Sequence, residues 1–204
     1  MYDTRYFEKR RMQIDRMEWY DIHWGLKAAG ARKGDFIVDL GAGGGYLVDF
    51  LRARGFRVIG LDLVGDGEKV HRCDLEVEDP PLADYYVFQH FLEHIRQERA
   101  LELLSKCYRQ GKAVVGILPG HWSDDETHVI NHYPDILKIV EHVKPACYCI
   151  RPDTLSYVSP RSRDWLLILS KKTIRKPVRG TMPLHVLAPI YLLGKVLKFF
   201  YMKA

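Results

Sequence analysis

The 204-residue sequence predicts an α/β fold. The expected form is a three-layer sandwich around a seven-stranded, mostly parallel sheet, with an antiparallel C-terminal strand and a C-terminal amphipathic helix. Three observations carry the prediction. Helix-like and strand-like segments alternate along most of the chain. The strand-like segments are mostly short apolar runs, as strands covered on both faces require. At 47% apolar residues, a chain of this length can close one full core and still carry a small appendage.

Residues 3–30 read as helical, with Met17, Tyr20 and Trp24 spaced as one apolar face and Gly30 and Gly34 closing the segment. Residues 36–40 form a first buried strand, which leads into a glycine turn. The next helix is marked by Leu47, Phe50, Leu51 and Arg54 and ends at Gly55. Residues 57–61 make a second strand and 69–73 a third, weaker one. After the Pro80-Pro81 break comes a fourth strand at 85–88, then a helix marked by Leu101, Leu104 and Tyr108 and stopped at Gly111. Residues 113–118 are the fifth strand, ended by Pro119-Gly120. A polar loop leads to a helix near 134–143, with Ile136, Val140 and Val143 on one face. Segments 146–150 and 165–170 close the sheet as an antiparallel pair. The simplest organisation is one domain over 1–171, opening with N-terminal helices over 1–33, and a tail over 172–204.

The net charge of +5 is unevenly spread. Eight of the 31 basic residues lie from Lys171 onward, where there is no acid; the other 23 face 26 acids, a net −3. A mildly acidic domain argues against a general nucleic-acid-binding face. The four cysteines, Cys73, Cys107, Cys147 and Cys149, read as free thiols, the last two expected on opposite faces of their strand. The charged N-terminus has no signal-peptide core, and no window reaches the run of about 18 apolar residues that spans a bilayer. The expected location is the cytoplasm.

The most informative stretch is Val38-Asp39-Leu40-Gly41-Ala42-Gly43-Gly44-Gly45-Tyr46, between a strand and a helix. Glycines there allow a tight turn and let backbone approach a ligand with no Cβ in the way. The helix start beyond them adds free N–H groups. The second strand then ends at Asp62, where a carboxylate in a nucleotide-binding βαβ unit accepts from both ribose hydroxyls. A dinucleotide loop of the form G-x-G-x-x-G would put glycine where Tyr46 stands.

The G-x-G-x-G spacing, with Asp39 two residues ahead of it, resembles the first motif of class I S-adenosylmethionine-dependent methyltransferases, which are Rossmann-like. Cys73-Asp74-Leu75 resembles that family's adenine-reading element, with Asp74 accepting from the amino group and the Leu75 backbone against the ring. A plain strand-end turn is the alternative for Asp74. Asp84 to His94, ending Leu92-Glu93-His94, resembles the fourth-strand motif, which sets Gln89 and His90 beside the transferable methyl. The resemblance covers roughly residues 5–171 and is nearest the ubiquinone-type, small-molecule O-methyltransferase branch. It implies S-adenosylmethionine as cofactor, held by Asp39, Gly41, Ala42, Gly43, Asp62, Leu63, Asp74, Leu75 and Gln89, with Tyr6 and Arg11 reaching the methionine carboxylate.

Methyl transfer from a sulfonium is an in-line displacement, so the enzyme chiefly aligns the acceptor and removes its proton where needed. His90, His94, His121 and His128 are the candidate bases, with His90 and His128 assigned the catalytic role and His94 a structural one. Related ubiquinone-type and small-RNA enzymes hold a divalent metal with an acid-x-x-Glu-His cluster. Here His90 replaces the acid ahead of Glu93 and His94, which argues against magnesium; a softer divalent ion on His90, Glu93, His94 and His128 is the alternative, and no metal is assigned.

The tail joins a basic cluster to a broken apolar segment over 184–202, a composition suited to an anionic membrane surface. Folding back on the sheet or a homodimer contact is the alternative. The expected function is therefore O-methylation of a small molecule or lipid-linked glycan. An RNA methyltransferase, or a non-catalytic partner subunit with this fold, is the rival.

Overall fold

The computed structural model describes residues 16–65, 67–119, 136–153 and 164–175. The helices are α1 (Arg16–Ala28), α2 (Tyr46–Arg52), α3 (Gln97–Gln110) and α4 (Ile136–Val143), with a 3-10 turn at Leu92–His94. The strands are β1 (Phe36–Leu40), β2 (Arg57–Asp62), β3 (Val70–Arg72), β4 (Tyr85–Gln89), β5 (Ala113–Leu118), β6 (Cys147–Pro152) and β7 (Trp165–Ser170).

The strands form one sheet in the order β3-β2-β1-β4-β5-β7-β6. All neighbours from β3 to β5 pair in parallel, and β7 runs antiparallel to both β5 and β6. The carboxyl ends of β1, β2, β4 and β5 therefore share one edge. Because Leu118 pairs with Trp165, the start of β7 joins that edge.

The inner strands β1, β4 and β5 are apolar but for Asp39 in β1 and Gln89 at the end of β4, because both faces are covered. Tyr86 and Phe88 of β4 pack with Leu103, Leu104 and Cys107 of α3 on one face. Tyr85 and Val87 join Ile22 and Leu26 of α1 and Leu47, Val48 and Leu51 of α2 on the other. Each face buries its own core, and the two-residue strand period divides the side chains between them.

Three sequence readings need correction. The buried face of α1 is Glu18, Asp21, Ile22, Gly25 and Leu26, while Tyr20 is 47% exposed. Tyr20 instead meets Phe50 edge-on at 5.0 Å, with the Arg54 guanidinium over both rings. The side chain of Met17 lies outside the described residues. Second, β3 is three residues long and not five. Third, Cys147 and Cys149 project to the same face of β6, since alternate strand residues do; all four thiols are free. The tail beyond Arg175 lies outside the described residues. Among those described, no helix is long and apolar enough to cross a membrane.

Gly25 sets how closely α1 approaches the sheet. A Cβ there would lie 2.6 Å from Val115 Cγ1 of β5. At an exposed helix site Gly→Ala gains about 1 kcal/mol, but overpacking a core contact costs about 1–3 kcal/mol. Gly25→Ala is accordingly expected to lower the melting temperature. A rise on calorimetry would show that α1 does not sit on β5 this tightly.

Candidate functional site

The carboxyl edge of the sheet collects the chemistry-bearing residues. Between β1 and α2, Gly41, Gly43 and Gly45 have φ of 70°, 51° and 70°, a region that side chains with a Cβ disfavour. Gly41 is constrained twice, because an added Cβ would lie 2.3 Å from the Phe91 ring. The Gly41 and Ala42 N–H groups donate to the Leu61 carbonyl at 2.9 and 3.0 Å, tying the loop to the end of β2.

Asp62, the last residue of β2, completes that tie. Its Oδ2 accepts from the Gly43 N–H at 2.8 Å and its Oδ1 from the Val64 N–H at 3.1 Å. Loop and acid are thus one unit, and each carboxylate oxygen keeps acceptor capacity for a ligand. Leu63, next in the chain, holds an apolar side chain 55% exposed at the rim.

Asp39 lies below the loop at 2% exposure, and among the described residues its Oδ2 has no hydrogen-bond partner. Burial pushes its carboxyl well above the ordinary range, and the nearby Asp62 carboxylate adds to the shift. The folded state therefore keeps a proton that the unfolded chain has released. Its contribution is fully present below the unfolded value and is lost as pH rises through the folded one. The stability advantage of Asp39→Asn over the parent is expected to grow as pH rises above about 4. An advantage independent of pH in thermal melts would rule out a proton held at Asp39.

Beyond β3, Asp74 forms a turn: its Oδ1 accepts from the Glu76 N–H at 3.0 Å and its own N–H donates to Glu78 Oε1 at 2.8 Å. Neither bond uses Oδ2, so the turn role leaves an acceptor atom for a ligand. The Leu75 side chain is buried, and its carbonyl accepts from Arg99 Nε of α3 at 2.9 Å. That bond pins the segment.

At the end of β4, Gln89 donates to the Glu18 carboxylate and accepts from the Trp19 indole at 3.1 Å. His90 follows at φ 49°, an unusual backbone for a residue with a Cβ. Its Nε2 is 3.1 Å from Glu18 Oε2 and 3.8 Å from Asp164 Oδ2, and its Nδ1 is 3.5 Å from Glu93 Oε1. Burial disfavours a charged ring, but the Glu18 and Glu93 carboxylates outweigh it and raise the imidazole well above its ordinary value. Burial likewise opposes the Glu93 charge, and the His90 ring overcomes it and lowers that carboxyl. A base role for His90 needs the neutral ring, whereas these neighbours favour the cation.

The structure thus brings Asp39, Gly41, Ala42, Gly43, Asp62 and Leu63 to one corner and Gln89 and His90 to its neighbour. His121 and His128 lie outside the described residues, as do Tyr6 and Arg11. Sequence reasoning misses Glu18 and Asp164. For Glu18 a signal exists, because the Ile22 and Leu26 stripe continued back one turn lands on it. For Asp164, which is local only to Trp165, there is none.

No protein-family model and no curated protein matches the chain. Solved structures do. A SAM-dependent methyltransferase from Archaeoglobus fulgidus aligns with a TM-score of 0.62 at 21% identity, over 83% of this chain and 100% of that one. The fold is that of S-adenosylmethionine-dependent methyltransferases. The pyocyanin biosynthetic protein PhzM aligns at TM-score 0.52 and 16% identity, over 81% of this chain and 61% of that one. The small RNA methyltransferase HEN1 aligns at 0.56 and 14%, over 86% of this chain and 27% of that one. One methyltransferase fold therefore covers neighbours of differing substrate, and the ubiquinone-type branch rests on the sequence motifs alone.

Proposed function

We propose that the protein is a methyltransferase that uses S-adenosylmethionine. The observation that carries this reading is the unit made by Asp62 and the Gly43 N–H, 2.8 Å apart. It presents a carboxylate for two ribose hydroxyls beside backbone that can lie against a ligand. The donor set fits the cofactor's charge. Residues 41–46 contain no basic side chain, and the half-buried Asp62 carboxylate stands beside the loop. Cationic sulfonium and ammonium groups suit such a site better than a diphosphate does.

When bound, the cofactor supplies a methyl group activated by a positively charged sulfur. The chain's own residues bind and orient it: Leu63 offers an apolar surface to the adenine, and Asp74 Oδ2 an acceptor to its amino group. Gln89 and His90 line the acceptor side, with His128 as a second catalytic residue. Calorimetry with S-adenosylmethionine tests the reading. One equivalent bound is expected, and no measurable binding would leave a non-catalytic subunit of the same fold.

The acceptor we propose is a hydroxyl of a small molecule or lipid-linked glycan, modified by a cytoplasmic protein resting on the inner membrane face. The basic, apolar tail beside a domain of net charge −3 supports it. Deleting 181–204 is expected to leave cofactor affinity unchanged and to release the protein from anionic vesicles on sedimentation. An insoluble truncation would instead place the tail against the domain or in a homodimer contact. Similarity to HEN1 favours RNA as a second reading, which expects salt-sensitive RNA binding that disappears with the tail.

A further inference from the structure

Cofactor binding leaves one side-chain cluster on the carboxyl edge unexplained. Glu18 from α1, His90 after β4 and Asp164 before β7 come from distant parts of the chain, and one ligand-type atom of each lies within 4.8 Å of the others. Atoms about 2.1 Å from a common ion stand roughly 3–4 Å apart when adjacent, and His90 Nε2 is 3.1 Å from Glu18 Oε2 and 3.8 Å from Asp164 Oδ2. We propose that Glu18, His90 and Asp164 hold a divalent transition-metal ion on the acceptor side of the cleft.

The surroundings are built as such a site needs. A histidine ligand usually engages its other ring nitrogen with a carboxylate, which fixes the tautomer. Glu93 Oε1 stands 3.5 Å from Nδ1, so that Nε2 can present its lone pair. Glu93 is itself buried, and among the described residues its Oε2 has no hydrogen-bond partner. Gln89 donates to the Glu18 carboxylate and is held by the Trp19 indole, which aims Glu18 at the ring. The Glu18 and Asp164 side chains are 3% and 10% exposed against 25% for His90. The cluster is sunk on two sides and open on the third.

One imidazole with two carboxylates suits manganese, iron, cobalt or zinc in the divalent state better than magnesium or calcium, which prefer oxygen alone. Two carboxylate ligands balance the ion's charge. The set differs from the acid-x-x-Glu-His pattern, because Glu93 orients the histidine and the acids come from α1 and the β7 entry. The ion's use rests on the methyltransferase reading: its open positions would take an oxygen of the acceptor, a hydroxyl or a carboxylate.

The full chain, stripped with chelator, is titrated with cobalt(II) and followed by visible d–d absorbance. Binding of S-adenosylmethionine is measured separately by calorimetry. One equivalent of cobalt is expected. Glu18→Gln, Asp164→Asn and His90→Asn (asparagine tolerates the left-handed backbone) should each weaken it by more than about tenfold, and Glu93→Gln by roughly 10–100-fold. Pulsed electron paramagnetic resonance of bound manganese(II) needs no variant, and one coupled imidazole nitrogen is expected. No cobalt uptake, uptake unchanged in all the variants, or manganese with no coupled nitrogen would overturn the site. In the parent chain, S-adenosylmethionine bound without any cobalt uptake sinks the metal alone, and cobalt taken up without S-adenosylmethionine binding sinks the methyltransferase reading alone.

Discussion

Asp62→Ala is expected to weaken S-adenosylmethionine binding by more than about 100-fold while the domain stays folded. Each hydrogen bond from a ribose hydroxyl to a carboxylate is worth about 1.5–3 kcal/mol, so losing two costs at least about 3 kcal/mol, or about two decades in affinity. A second contribution adds to it. Asp62 also accepts from the Gly43 and Val64 N–H groups, so the variant loosens the loop that lies along the ligand. Asp62→Asn keeps one acceptor oxygen and should fall between the two. The fold should tolerate either change, because the carboxylate is half-buried at a strand end and carries no core packing. Calorimetry showing unchanged affinity in the alanine variant would remove the ribose assignment.

Gly41→Ala is expected to be strongly destabilising for two independent reasons. The φ of 70° costs a residue with a Cβ about 1–2 kcal/mol. The new atom would also lie 2.3 Å from the Phe91 ring, an overpacking that costs about 1–3 kcal/mol. Together these lower stability by roughly 2–5 kcal/mol, or about 5–15 °C in melting temperature for a chain of this size. Cofactor binding should fall with it, because the loop cannot keep its path along the ligand. A double-mutant cycle with Phe91→Ala separates the two causes. Phe91→Ala should relieve the clash with the ring and leave the 2.8 Å approach to its Cβ and the backbone strain, so the pair should be less damaging than the two single effects added. Strict additivity would place the whole cost in the backbone.

Much of this fold is legible in the sequence, and the exceptions have physical causes. β1 and β5 can be read to the residue because they are short apolar runs, interrupted in β1 only by Asp39, that stop at Gly41 and Pro119. The insertion of β7 between β5 and β6 cannot, because pairing between residues as far apart as Ala113 and Ser170 leaves no local trace. The α1 face misleads because aromatic residues look like core. Tyr20 instead packs along α2 beneath Arg54, and the true stripe carries the buried acids Glu18 and Asp21. The same resemblance to core hides the candidate metal ligand. The cofactor corner is visible because its chemistry is local: a glycine loop, then an acid one strand later. The acceptor corner is not, because Glu18, His90 and Asp164 meet only when three distant segments fold together.

The proposed chemistry requires an adenosyl amino acid lying along the 41–45 loop with its sugar on the carboxylate of residue 62. A crystal structure of the full chain with S-adenosylhomocysteine reads this directly. Both ribose hydroxyls should lie within hydrogen-bond distance of the Asp62 oxygens, with the homocysteine sulfur turned toward Gln89. The loop packed shut by the protein's own side chains, with the ligand absent or bound elsewhere, would contradict the assignment.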